Sequence, residues 1–222
     1  MGLGTNWKRY ELTFLRSPLV SLFSSLFPLK IFPHSLPPLT SYFSLSVTSQ
    51  LSESGGDGKP VVAIFFGAND ASLKLGSASK QHVPIDEYKS NLCRMIEMIQ
   101  PHAHALLISP PPVNEEAWAQ HCNESDSNRS LEESKKYAKV VQEVSSERNL
   151  PFVDVWSRIY QSVSPDSKSE SKLSDFFCDG LHLSSKGNQA VFEAFMEVVR
   201  DSKHIRSPDE LPLDAELWDS LV

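Results

Sequence analysis

Asp179 and His182 stand three residues apart in the stretch FCDGLHLSSKGNQAVFEAF, residues 177–195. Asp-Gly-Leu-His places a carboxylate and an imidazole on one short loop. A carboxylate can hold a neighbouring imidazole in one tautomer and stabilise its charged form. The imidazole can then take a proton from a hydroxyl nucleophile. The same spacing also serves a surface ion pair, a helix cap or part of a metal-ligand set, so the pair needs a second site beside it. Asn69 offers one. It follows the apolar run 61–66 (VVAIFF) within Gly67-Ala68-Asn69-Asp70. An Asn amide can donate to an oxyanion, and one such donor stabilises a transition state by roughly 3–4 kcal/mol. The competing reading is a turn closed by Asn69, with Asp70 capping the next segment.

The elements that must position these residues follow from periodicity. VVAIFF is continuously apolar, as in a strand buried on both faces of a parallel sheet, and Gly67 to Asp70 lie at its carboxyl end, where open α/β sheets bind ligands. Ile85, Tyr88, Leu92, Met95, Ile96 and Ile99 recur at helical spacing, with Asp86 and Glu87 in the first turn and Pro101 after the end, so 85–100 is a helix. Residues 104–109 (HALLIS) are a second strand, stopped by three prolines. Residues 115–129 are polar and irregular, and read as a long binding loop or lid. Ser130-Leu-Glu-Glu133 is a capping box opening a helix to about Arg148. Residues 151–156 (PFVDVW) read as a third strand, 159–174 carry no clear pattern, and a last helix runs from about Ser185 to Val199. Strand and helix alternate, which predicts a parallel sheet with helices on both faces. On its carboxyl edge Asn69 and the Asp179/His182 loop can converge.

Several stretches are similar to a known family. GAND at 67–70 resembles the Gly-x-Asn-Asp block of the SGNH (GDSL-type) hydrolases, and DGLHLSSKGN at 179–188 resembles their Asp-x-x-His block. IFFGANDA, HVPIDEYKSNL, LLISPPPVNEEAW and CDGLHLSSKGNQAVF resemble the isoamyl acetate-hydrolysing esterase branch. The likeness runs from about Lys59 to Leu213. It implies a flavodoxin-like three-layer αβα sandwich and a serine esterase acting on small carboxylic esters through an acyl-enzyme. It further implies His182 as general base oriented by Asp179, Asn69 as oxyanion-hole donor, Gly67 and Asp70 as its supporting loop, and no cofactor or metal. The family's Gly-Asp-Ser block, which carries the nucleophile, does not occur in these 222 residues. Gly56-Asp57-Gly58 has no hydroxyl, the glycine of the second block has no clear counterpart, and the family's first strand is atypical or absent. The nucleophile is therefore unassigned. Loss of a triad nucleophile costs about 10⁶ in turnover, so the rival expectations are a catalytically dead family member and a non-enzymatic interaction protein.

Charge and composition divide the chain. Residues 1–60 hold five Lys/Arg and three acids, and the whole chain carries a net charge of −7. That balance has no electrostatic footprint for nucleic acid. Residues 1–58, rich in Ser, Leu, Phe and Pro, read as a disordered extension, with a transit peptide as the alternative. Their apolar run 19–27 is too short to span a membrane. Residues 59–200 form the hydrolase-type domain and 201–222 an acidic tail. Cys93, Cys122 and Cys178 match no ligand pattern, which favours a reducing compartment and a cytoplasmic location, or plastid or mitochondrion should 1–58 be an address. Acyl length, alcohol preference and oligomeric state are not encoded in any of these patterns.

Overall fold

A computed structural model describes residues 59, 61–163, 172–203 and 205. The segment 1–58 and nearly all of the tail lie outside the described residues. Three parallel strands, β1 (Val61–Phe65), β2 (His104–Ile108) and β3 (Phe152–Val153), lie in the order β1-β2-β3. Val61 pairs with His104 and Phe65 with Ile108, so β1 and β2 end together. Among the described residues β1 is hydrogen-bonded to a neighbour on one side alone.

The side chains of a strand alternate between faces, and here each face feeds its own core. Val62, Ile64, Ala105 and Leu107 pack with α1 (Ile85–Ile99) and α3 (Leu131–Arg148), which bring Leu92, Ile96, Val141 and Val144. Val61, Leu106, Ile108 and Val153 pack with α4 (Val155–Ser162) and α5 (Ser185–Asp201), which bring Ile159, Ala190, Ala194 and Val199. A sheet with apolar residues on both faces requires a helix layer on each. That is the three-layer αβα sandwich. Ile205, past the boundary expected at 200, is buried in the second core.

The helix ends follow the expected chemistry. The Ser130 side chain accepts the N–H groups of Glu132 and Glu133 at the start of α3, and Asn149, in the left-handed conformation, closes it. Two expectations are corrected. Residues 115–129 are not an irregular loop: Asn114 caps a short helix, α2 (Glu115–Cys122), by accepting from Ala117 N–H at 3.2 Å. The polar composition hid it, since only Ala119 of α2 is buried. The strand expected over 151–156 is two residues long. Asp154 accepts from Ser157 N–H at 3.0 Å and starts α4, so Val155, Trp156 and Ile159 are a helical face instead.

Candidate active site

The first half of the site grows from the end of β1. Gly67 turns the chain with φ +120°, and a Cβ there would lie 2.8 Å from the Tyr88 hydroxyl and 3.0 Å from Pro110 Cγ, so both conformation and space call for glycine. Tyr88 donates to the Phe66 carbonyl at 3.0 Å, tying α1 to this turn. Ala71 N–H returns to the Gly67 carbonyl and Ser72 N–H to that of Asn69, leaving Asn69 at the exposed tip. Arg129 donates from Nη2 to Asn69 Oδ1 at 3.3 Å. A guanidinium only donates, so the atom facing it is the oxygen. The amide Nδ2 then faces away and has no partner among the described residues. Asp70 is half-buried and receives Val83 N–H on its carbonyl at 3.1 Å. Burial pushes its carboxyl up, against the backbone amides of Asp70 and Gly67 and the nearby His82.

The second half is the turn before α5. Asp179 Oδ1 accepts the N–H groups of Leu181 at 2.9 Å and His182 at 2.8 Å, while Oδ2 meets His182 Nδ1 at 2.7 Å. A carboxylate accepts only, so Nδ1 carries the proton and Nε2 of the neutral ring is the basic atom. Burial alone would raise the Asp179 carboxyl. The hydrogen bonds from the His182 amide, the His182 ring and the Leu181 amide outweigh it and hold the group below its ordinary value. The Asp179 side chain is 14 % exposed and that of His182 70 %. The carboxylate is thus shielded and the imidazole is open to solvent. Among the described residues no hydroxyl bonds the His182 ring.

The turn is pinned from its far side by α2. Gly180 has φ +101°, its carbonyl accepts Asn114 N–H at 2.8 Å, and a Cβ on it would fall 2.5 Å from Trp118 N and 2.6 Å from Asn114 O. Trp118 meets the His182 ring edge-on at 5.8 Å and stacks on His121 at 5.3 Å. His121 Nε2 lies 3.9 Å from Asp179 Oδ2. Of the residues that sequence reasoning missed, Trp118, His121, Asn128 and Arg129 belong to the stretch expected to be a loop, and Asn114 directly precedes it. The available signal was a tryptophan, an arginine and two asparagines concentrated in a segment read only as polar.

The two halves meet at a cavity of about 320 Å³ lined by Phe65, Phe66, Ala68, Pro110, Leu181 and His182, among others. Ala68 adjoins Asn69, so the amide turn and the imidazole border one largely apolar space. Ala68 of the first half and Leu181, His182 and Leu183 of the second line this space, while Gly67, Asn69, Asp70 and Asp179 are their chain neighbours. Among the described residues no group of three His, Cys, Asp or Glu side chains is placed to hold a metal ion, and no helix is long and apolar enough to cross a membrane.

Known proteins resemble this chain in sequence and in fold. The GDSL-like lipase/acylhydrolase family matches residues 37–195. The isoamyl acetate-hydrolyzing esterase 1 homolog of Bos taurus is 38 % identical over 145 residues, 63 % of this chain and 55 % of that protein. A GDSL esterase/lipase of Arabidopsis thaliana is 35 % identical over 156 residues, 67 % of this chain and 62 % of that protein. The chain thus spans little more than half the length of these relatives. Among solved structures, an acetylxylan esterase of Geobacillus stearothermophilus superposes with a TM-score of 0.55 at 22 % identity, over 76 % of this chain and 68 % of that one, a likeness of fold. With the family match covering most of the chain, the sheet parallel and the two family blocks facing one cavity, this chain belongs to the GDSL-like lipase/acylhydrolase family.

Proposed function

We propose that this chain carries the base, its orienter and an oxyanion donor of an esterase for small carboxylic esters. The observation that supports the reading most is the 2.7 Å contact between His182 Nδ1 and Asp179 Oδ2, with the basic Nε2 open beside an apolar cavity. In this reading a hydroxyl attacks the ester carbonyl while Nε2 takes its proton. Asn69 Nδ2 donates to the oxyanion, and the imidazolium returns the proton to the departing alcohol. Water, activated by the same imidazole, then cleaves the acyl-enzyme and restores the hydroxyl. Asp179 stays ionised and stabilises the imidazolium. The cavity volume suits a short acyl or alcohol chain, and the relatives' names point the same way.

A second reading is favoured by one specific observation: these 222 residues contain no Gly-Asp-Ser, and no described hydroxyl meets His182. Under it the chain is an idle member of the family. Hydrolysis of p-nitrophenyl acetate by the purified chain, beside His182→Ala, separates the two. Turnover that falls at least 10²-fold in the variant supports the esterase, and fluorophosphonate labelling then identifies the attacking residue. Equal slow rates refute it and leave the idle reading.

A further inference from the structure

Arg129 is 4 % exposed, and no carboxylate pairs with it among the described residues. A buried cation without a counter-charge is costly and needs a reason. Its acceptors are all neutral: Nη1 binds the carbonyl and Oδ1 of Asn128 at 3.3 and 3.1 Å, and Nη2 binds Gln81 Oε1 and Asn69 Oδ1. Its Nε is buried and has no partner among the described residues. Burial disfavours the charged form, yet a guanidinium keeps its proton.

We propose that Arg129 is a positioning residue for the oxyanion donor: its guanidinium holds and polarises the Asn69 amide so that Nδ2 is aimed and strengthened as a donor. The inference rests on Asn69 acting as that donor. Two physical features carry it. A guanidinium nitrogen, which only donates, on Oδ1 forbids the flipped amide, which an exposed Asn would otherwise sample. The positive charge of a buried guanidinium on Oδ1 draws electron density from the amide and makes the opposite N–H a better donor, since hydrogen bonds in series reinforce one another. Arg129 also ties this half of the site to the other. Asn128 Oδ1, which accepts from Nη1, accepts Trp118 Nε1 at 2.9 Å as well, and Trp118 packs on His182. An apolar residue of similar volume would fill the space without the cost of burying charge, but would do neither task.

The test uses the full chain with Arg129→Gln, Arg129→Lys, Asn69→Ala and the double variant R129Q/N69A. The first readout is kcat and KM for p-nitrophenyl acetate. The second is the side-chain amide resonance pair of Asn69, assigned by its disappearance in Asn69→Asp. The expectation is that R129Q lowers kcat about 10- to 100-fold with KM within about twofold, that R129K recovers part of the loss, and that R129Q in the N69A background adds less than about twofold. The Asn69 pair is expected to move in R129Q toward the position of a freely exposed amide. Multiplying effects of R129Q and N69A, or an unmoved Asn69 resonance, overturn the proposal. Should the parent chain turn over no faster than His182→Ala, the esterase reading has failed, and the resonance alone decides whether Arg129 holds Asn69. Should R129Q not fold, R129K carries the comparison: it keeps the charge and loses the fork, and an R129K chain matching the parent in both readouts overturns the proposal.

Discussion

Gly180→Ala is the sharpest test of how the His182 loop is held. Two costs add. The first is conformational: at φ +101° an L side chain is strained, at about 1–3 kcal/mol. The second is steric. The new Cβ would sit 2.5 Å from Trp118 N and 2.6 Å from Asn114 O, so the first turn of α2 must retreat by about 0.9 Å to reach ordinary contact. Both obstructing atoms are backbone of a capped helix, which cannot rotate away as a side chain would. Overpacking of this kind costs about 1–3 kcal/mol, for a total near 2–6 kcal/mol, a large part of the stability of an ordinary domain. Gly76→Ala is the internal reference. Its φ of +107° is similar, but its Cβ would meet nothing nearer than Asn128 Cβ at 3.6 Å. Gly76→Ala therefore carries the strain without the collision. Urea unfolding followed by circular dichroism reads both as shifts of midpoint at constant slope. G180A is expected to lose about 1–3 kcal/mol more than G76A. Equal losses, or a G180A chain within about 0.5 kcal/mol of the parent, would refute the claim that α2 clamps the loop.

Three further outcomes follow from the same geometry. Asp179→Asn presents a donor to Nδ1, which drives the ring proton to Nε2 and removes the base, so ester turnover is expected to fall about 10⁴-fold with the fold intact; retention of more than about a tenth of the parental rate would contradict the assigned tautomer. Leu107→Ala empties a site with no solvent exposure in the first core and is expected to cost about 2–5 kcal/mol in unfolding free energy. The Asp179 carboxyl lies below its ordinary value of 3.8 in the folded chain, so its contribution to stability is present above pH 3.8 and is lost as pH falls through the lower folded value; the stability of Asp179→Asn is expected to decline less steeply between pH 4 and pH 2 than the parent's, and parallel curves would show that the loop's hydrogen bonds do not favour the carboxylate.

Much of this protein is legible in short windows, and the reason is that the interactions involved are short in sequence. VVAIFF is readable as a doubly buried strand because both of its faces are apolar, and GAND as a turn because Gly67 adopts a conformation that few other residues can. The Asp179–His182 pair is local to the point that its carboxylate binds amides two and three residues on. Ser130 caps α3 within its own first turn. The misread elements failed for equally local reasons. Asp154 caps α4 directly after two strand residues, so Phe152, Val153 and Val155 look continuous although the first two face a sheet and the third opens a helix. In α2 the amphipathic signal is weak, because one small residue is all it buries.

What no window contains is the joining of distant pieces. Arg129 meets Asn69 across 60 positions, and Gly180 meets Asn114 across 66. Nothing in the local pattern around Arg129 says that its charge is buried, since burial is conferred by elements that arrive from elsewhere in the chain. The residue types and turns of the site are therefore written in the order of amino acids, because backbone conformation and neighbouring hydrogen bonds specify them. Which of those residues face one cavity, and which buried cation meets the Asn69 amide, depends on how β1, α2 and the loop before α5 pack, because packing is a sum over contacts that the linear chain does not record.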